Sequence, residues 1–111
     1  MAQRIKKIDG LLKKELGALV LKEINFPENT LVTLERVETA EDLTQTKVFI
    51  AVFPNKATAV ALKILNSQSY DLHQGLNKRL FLRKVPKLRF FEDKQLAKEQ
   101  KVEELLHEIE K

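Results

Sequence analysis

Apolar residues in the first part of the chain recur at steps of three and four: Ile5, Ile8, Leu12, Leu16, Leu19, Val20 and Ile24. That spacing predicts a helix with one apolar face. Gly10 and Gly17 each weaken it by about 1 kcal/mol relative to alanine, so it needs a partner to pack against. Asn25-Phe26-Pro27-Glu28-Asn29 ends it, because Pro27 disfavours helical backbone at Phe26.

The pattern then changes period. Leu31 to Thr39 is rich in β-branched residues, and Thr46 to Phe53 is apolar at almost every position. The second run reads as a strand buried on both faces or central in its sheet. The short polar link Ala40-Glu41-Asp42-Leu43-Thr44-Gln45 predicts an antiparallel hairpin.

Beyond Pro54-Asn55 the helical period returns with Ala57, Val60, Ala61, Ile64 and Leu65. Ser67-Gln68-Ser69 interrupts it, and Tyr70 or Leu72, then Leu76 and Leu80, resume it. Two helices therefore meet near residues 66–70. Leu82 to Phe91 alternates like a strand, and Pro86, lacking an N–H, belongs at a sheet edge. A last polar helix takes in Val102, Leu105, Leu106 and Ile109.

The predicted order is α-β-β-α-α-β with a C-terminal helix, an α+β class. A strand, two helices and a further strand form a crossover, which favours parallel pairing and a right-handed path. The sheet is then three-stranded and mixed, with residues 46–53 in the middle and helices on one face. Residues 1–95 carry the sheet and its helices, and 96–111 add the C-terminal helix to the same unit. The chain's 111 residues suffice for one core.

Composition narrows the class. No run of about 18 apolar residues is present, so no membrane-spanning helix is expected. The first residues lack the apolar stretch of a signal peptide. The absence of cysteine excludes disulfides and thiolate chemistry. A cytoplasmic protein fits these features.

Charge says more. The net charge is +4, but residues 92–111 hold four lysines against seven acids, so the remainder carries +7. Between Asp71 and Glu92 there is no acid, yet Lys78, Arg79, Arg83, Lys84, Lys87 and Arg89 fall there. A field of one sign attracts phosphate backbones or acidic membrane surfaces. Strand geometry places Arg83, Val85, Lys87, Arg89 and Phe91 on one side, and Leu82, Lys84, Pro86, Leu88 and Phe90 on the other. Arginine suits phosphate because its planar fork makes two bonds. Edge strands also use charge to resist aggregation, which accounts for one or two cations but not six.

A catalytic constellation is missing. His73 and His107 have no metal-ligand spacing and read as helix residues. The three glycines stand alone, so there is no phosphate loop. Glu41-Asp42 and Glu92-Asp93 are adjacent pairs that suit turns and caps better than an acid/base dyad. No enzyme, no cofactor, no metal and no small-molecule substrate are expected.

At this point the residues resemble a known family, ribosome-binding factor A. Lys13-Lys14-Glu15-Leu16-Gly17 is similar to a run in its first helix. Val32 to Thr39, then Asp42-Leu43 and Thr46 to Ile50, resemble its hairpin signature. Leu82 to Phe90 followed by Asp93, and Leu105-Leu106-His107-Glu108-Ile109 near the end, resemble its later motifs. Five such stretches in order span nearly the whole chain.

The resemblance implies a type II KH-like domain over residues 1–95. It also implies a non-catalytic bacterial assembly factor, often linked to cold adaptation. Such a factor binds the small (30S) subunit and 16S rRNA, near the rRNA 3′ end and the decoding-region helix, during late maturation and rRNA processing. This sequence departs from the pattern at Phe26-Pro27-Glu28, at Leu72-His73, and at Tyr70, which stands where the family has a glycine. It has no GxxG loop of the kind that clamps single strands.

The expected RNA contacts are Lys78, Arg79, Arg83, Lys84, Lys87 and Arg89, with Lys6, Lys7 and Lys14 as helpers. About six phosphate contacts correspond to a salt slope near −5. A generic single-strand binder is disfavoured because most of the six Phe and one Tyr are expected in the core. The alternative function is a protein-interaction adaptor using strand edges and the acidic C-terminal helix. A monomer is the simplest expectation.

Overall fold

The computed structural model describes residues 2–80 and 84–94. The helix α1 (Ala2–Glu23) buries the expected stripe, with Leu12, Leu16, Leu19 and Val20 in the core and Ile24 just beyond its end. The chain then turns through Asn29 at φ 62. Asparagine tolerates that left-handed conformation better than most residues.

Strands β1 (Leu31–Thr39) and β2 (Gln45–Phe53) pair antiparallel, from Leu31 opposite Phe53 to Thr39 opposite Thr46. Asp42 organises the turn between them. Its Oδ1 accepts from the Thr44 hydroxyl at 2.7 Å and from the Thr44 N–H at 3.1 Å. These bonds, the hydroxyl first, hold the Asp42 carboxyl below its ordinary range.

A single 3-10 turn (Asn55–Ala57) leads to α2 (Thr58–Ser67) and then α3 (Ser69–Arg79). Strand β3 (Lys87–Glu92) returns beside β2 in parallel, so the sheet order is β1-β2-β3 with β2 central. Hairpin, crossover and central strand are all as the sequence predicts.

The third strand needs a correction. The alternation suggests 82–91, but pairing begins at Lys87, and residues 82–83 lie outside the described residues. Val85 and Pro86 are buried rather than laddered. His73 Nε2 lies 2.7 Å from the Val85 carbonyl and ties this segment to α3. With no N–H at Pro86, the first ladder bond goes from the Lys87 N–H to the Thr44 carbonyl at 3.1 Å. The predicted C-terminal helix over 96–111, and His107 with it, also lies outside the described residues.

The three helices cover one side of the sheet. Val37, Val48, Ile50, Val52, Leu88 and Phe90 point into that side against Leu12, Leu16, Leu65, Leu72 and Leu76. Buried polar groups there are paired. Thr39 donates from its N–H and its hydroxyl to Asp9 Oδ1 on α1, and its hydroxyl lies 2.9 Å from that of Thr46. At the β3 edge, Asn66 accepts from the Phe90 N–H at 3.0 Å and donates to the Phe90 carbonyl at 3.3 Å. This side chain closes an edge that would otherwise offer free backbone groups. Gly75 lets α3 cross close to α1, since a Cβ there would stand 3.1 Å from Leu19 Cδ1. No described helix is long and apolar enough to cross a membrane.

Candidate nucleic-acid interface

Helices α2 and α3 break at Gln68, whose φ of −97 and ψ of 4 require no glycine. Tyr70 lies in the first turn of α3 without positive φ, so the break needs no glycine there, and the residue is 70% exposed. The break sets the first turns of α3 beside the start of β3. Between them lies a hollow of about 510 Å³ lined by Gln45, Ser69, Tyr70, His73, Gln74, Lys87, Leu88 and Arg89. No acid is among these residues. Leu88 is buried, while Lys87 and Arg89 stand out from the strand on the solvent side.

Lys84 is exposed just ahead of the strand, close enough to Asp42 to contribute to the lowering of its pKa. Simple alternation sets it on the apolar side of the strand, but it is exposed, and residues 84–86 are not part of the ladder. For the same reason Val85 is in the core rather than on the cationic face. Arg83 lies outside the described residues.

The structure does not bring the remaining cations into this hollow. Lys78 and Arg79 sit at the end of α3 and line a separate depression toward α1, shared with Lys22, Glu23 and Asp71. Arg79 also faces Glu15 at 3.5 Å. Charge there is nearly balanced. Lys6 and Lys7 are exposed on the first turns of α1, and Lys14 flanks a mainly apolar groove between α1 and β1. The five of these cations that are described, Lys78, Arg79, Lys84, Lys87 and Arg89, thus divide between two sides of α3. Lys87 and Arg89 form the concentrated pair.

Sequence reasoning missed a second group. The side of the sheet away from α1, α2 and α3, which no described element covers, carries Lys47, Phe49 and Phe53 from β2 and Phe91 from β3. Strand β2 is central but has no described element over this side, and Phe53 is exposed there, so its near-continuous apolar run does not mean burial on both faces. Phe53 is 52% exposed, and Phe49 and Phe91 are half-buried with ring centroids 5.9 Å apart. The expectation that most aromatics are in the core is corrected accordingly.

A bulge in β1 completes this face. Leu34 opposes Ile50 and Arg36 opposes Phe49, leaving Glu35 as the extra residue. The bulge turns Arg36 outward, where its guanidinium carbon lies 4.0 Å from the Phe49 ring centroid. The available signal was the inward series Val32, Leu34, Val37, Thr39, whose step of three marks one inserted residue.

Among the described residues, no group of three or more His, Asp or Glu is placed to hold a metal ion. His73 is engaged structurally, with Asn77 Nδ2 3.5 Å from its Nδ1 in addition to the Val85 contact.

The family model for ribosome-binding factor A matches residues 4–106. Ribosome-binding factor A of Akkermansia muciniphila is 32% identical over 111 residues, covering 100% of this chain and 88% of its own length. The crystal structure of ribosome-binding factor A from Thermus thermophilus superposes with a TM-score of 0.67 at 22% identity, over 79% of this chain and 93% of that one. A homology model of the Thermus thermophilus factor, fitted into a cryo-EM map of a 30S–RbfA complex, gives a TM-score of 0.63 at 25% identity, over 75% and 88% of the two chains. With the match running through the helices, the hairpin and the basic third strand alike, this chain belongs to the ribosome-binding factor A family.

Proposed function

We propose that this chain is a non-catalytic assembly factor that binds the small (30S) ribosomal subunit and its 16S rRNA, promoting late subunit maturation and rRNA processing. The observation that carries this reading is the acid-free hollow between α3 and β3, where Lys87 and Arg89 meet the exposed Tyr70. Phosphate contacts from such cations fix position and carry little sequence information, which suits recognition of one folded site by shape. A relative fitted into a map of a 30S complex supports the choice of partner.

The element order and the break at Gln68 support a type II KH-like domain over residues 1–95, with 96–111 as part of the same unit. The factor acts in the cytoplasm as a monomer, without cofactor, and the resemblance extends its role to growth in the cold. Arg83, Lys84, Lys87 and Arg89 are the leading contacts, with Lys78, Arg79, Lys6, Lys7 and Lys14 as peripheral ones.

The test is co-sedimentation with purified small subunits. Changing Lys84, Lys87 and Arg89 together to glutamate is expected to abolish pelleting while circular dichroism stays native. Pelleting of that variant at the wild-type level would overturn the assignment.

One feature favours an adaptor instead. The groove of about 560 Å³ between α1 and β1 is lined by Val20, Leu21, Ile24, Phe26 and Leu31, with Leu21 87% exposed. An adaptor docking a protein there would associate with little salt dependence, whereas phosphate contacts weaken steeply with salt.

A further inference from the structure

The open face of the sheet is chemically graded along β2. At its first end lie Lys47, with Glu38 opposite it on β1, and, across the parallel register, Arg89, with Lys87 one step behind. Next comes a row that crosses all three strands, with Arg36 over Phe49 and Phe49 beside Phe91. At the far end Phe53 stands opposite Leu31, and both are more than half exposed.

Single apolar residues on a surface are ordinary. Three aromatic rings from two adjacent strands, next to three cations, are a different matter. Arg36 is held in place by Glu38 at 3.3 Å and by the buried Asp93 at 3.3 Å. Its charge is therefore answered within the protein, and its guanidinium lies over the Phe49 ring. Lys47, Lys87 and Arg89 have no ion-pair partner among the described residues.

We infer that this face is a stacking platform for unpaired RNA bases, separate from the hollow beside α3. The inference rests on the RNA-binding reading above and adds the class of ligand. Bases have apolar π-faces, so they suit Phe53 and Phe91, and they also stack on arginine planes such as that of Arg36, which covers the Phe49 ring. The phosphates that link them suit the neighbouring cations. A duplex cannot use the platform, because its bases are already stacked on one another. A protein occupant has no comparable need for aromatic rings beside a row of unpaired cations. Lys87 and Arg89, at the β3 edge, reach both the platform and the hollow, so one strand can run from one to the other.

The test uses the full chain and a fluorescein-labelled ten-nucleotide single-stranded RNA of mixed sequence, compared with the same sequence as a duplex. Phe53→Leu keeps apolar bulk but removes the ring, and is expected to weaken single-strand binding roughly tenfold. Phe53→Tyr keeps the ring and is expected to bind within about twofold of the wild type. Phe91→Leu provides a second site, read after its thermal unfolding has been checked. Wild-type affinity of both leucine variants for the single strand overturns the platform. So does a loss of subunit pelleting in Phe53→Leu with unchanged affinity for the single strand, which assigns the face to a protein. Failure of the underlying RNA reading looks different, since Lys87→Glu with Arg89→Glu would then leave binding to every RNA unchanged.

Discussion

The two faces of the one sheet are built from the same three strands and yet obey different rules. Toward the helices, Val48, Ile50 and Phe90 are buried at 2% exposure or less, and the polar Thr39 and Thr46 are fully bonded. Toward solvent, the residues between them are Lys47, Phe49, Arg89 and Phe91, with Phe53 beyond. Alternate positions of a strand point to opposite sides, so neighbouring residues serve stability and recognition separately. The difference teaches that substitutions one residue apart affect different observables.

The largest test is to exchange the two. Ile50→Ala removes a fully buried side chain and is expected to cost about 2–5 kcal/mol in urea denaturation. Phe53→Ala, three residues on, is expected to cost less than about 1 kcal/mol while weakening RNA binding. Equal destabilisation by the two would erase the distinction between the faces.

Next in size is the polar link that fastens α1 to the hairpin. Asp9→Ala leaves the Thr39 N–H and hydroxyl without their acceptor and is expected to cost about 1–3 kcal/mol, again by urea denaturation. At the β3 edge, Asn66→Ala frees both backbone groups of Phe90. The expected loss is about 1 kcal/mol, read as faster amide hydrogen exchange at Phe90. A slower or unchanged exchange rate there would mean that the edge is closed by something else.

The smallest effect concerns the turn. Hydrogen bonds from Thr44 hold the Asp42 carboxyl below its ordinary value in the folded chain. A carboxyl lowered in this way stabilises the fold above its unfolded pKa of about 4 and loses that contribution as pH falls through the folded pKa. Asp42→Ala is therefore expected to be less stable than the wild type at pH 7, with the gap closing below about pH 4. A gap independent of pH would remove the carboxylate from the explanation.

Much of this was legible in the chain because period and composition agree. The step of three and four in Ile5 to Ile24 and the crossover implied by two helices between strands are local signals with one geometric outcome. The strand at Lys87 was only half legible. Alternation in 82–91 looks uniform, but the tertiary bond from His73 to Val85 and the missing N–H of Pro86 take residues 85 and 86 out of the ladder. Charge counting along the sequence could not separate Lys78 and Arg79 from Lys87 and Arg89, because α3 stands between the two sides. The aromatic row was hidden for another reason: Phe49 and Phe53 lie in a run so apolar that burial is its simplest reading. Only the bulge at Glu35 shows that Arg36 joins them.

The measurement that bears most directly on the central claim is the salt dependence of binding to small subunits. With Lys47, Lys84, Lys87 and Arg89 meeting phosphates, the logarithm of affinity is expected to fall with the logarithm of salt at a slope of about −3 to −4. Lys87→Ala is expected to make that slope shallower by about 1. A slope near zero for the wild type, or one that Lys87→Ala leaves unchanged, would contradict recognition of the rRNA through this strand.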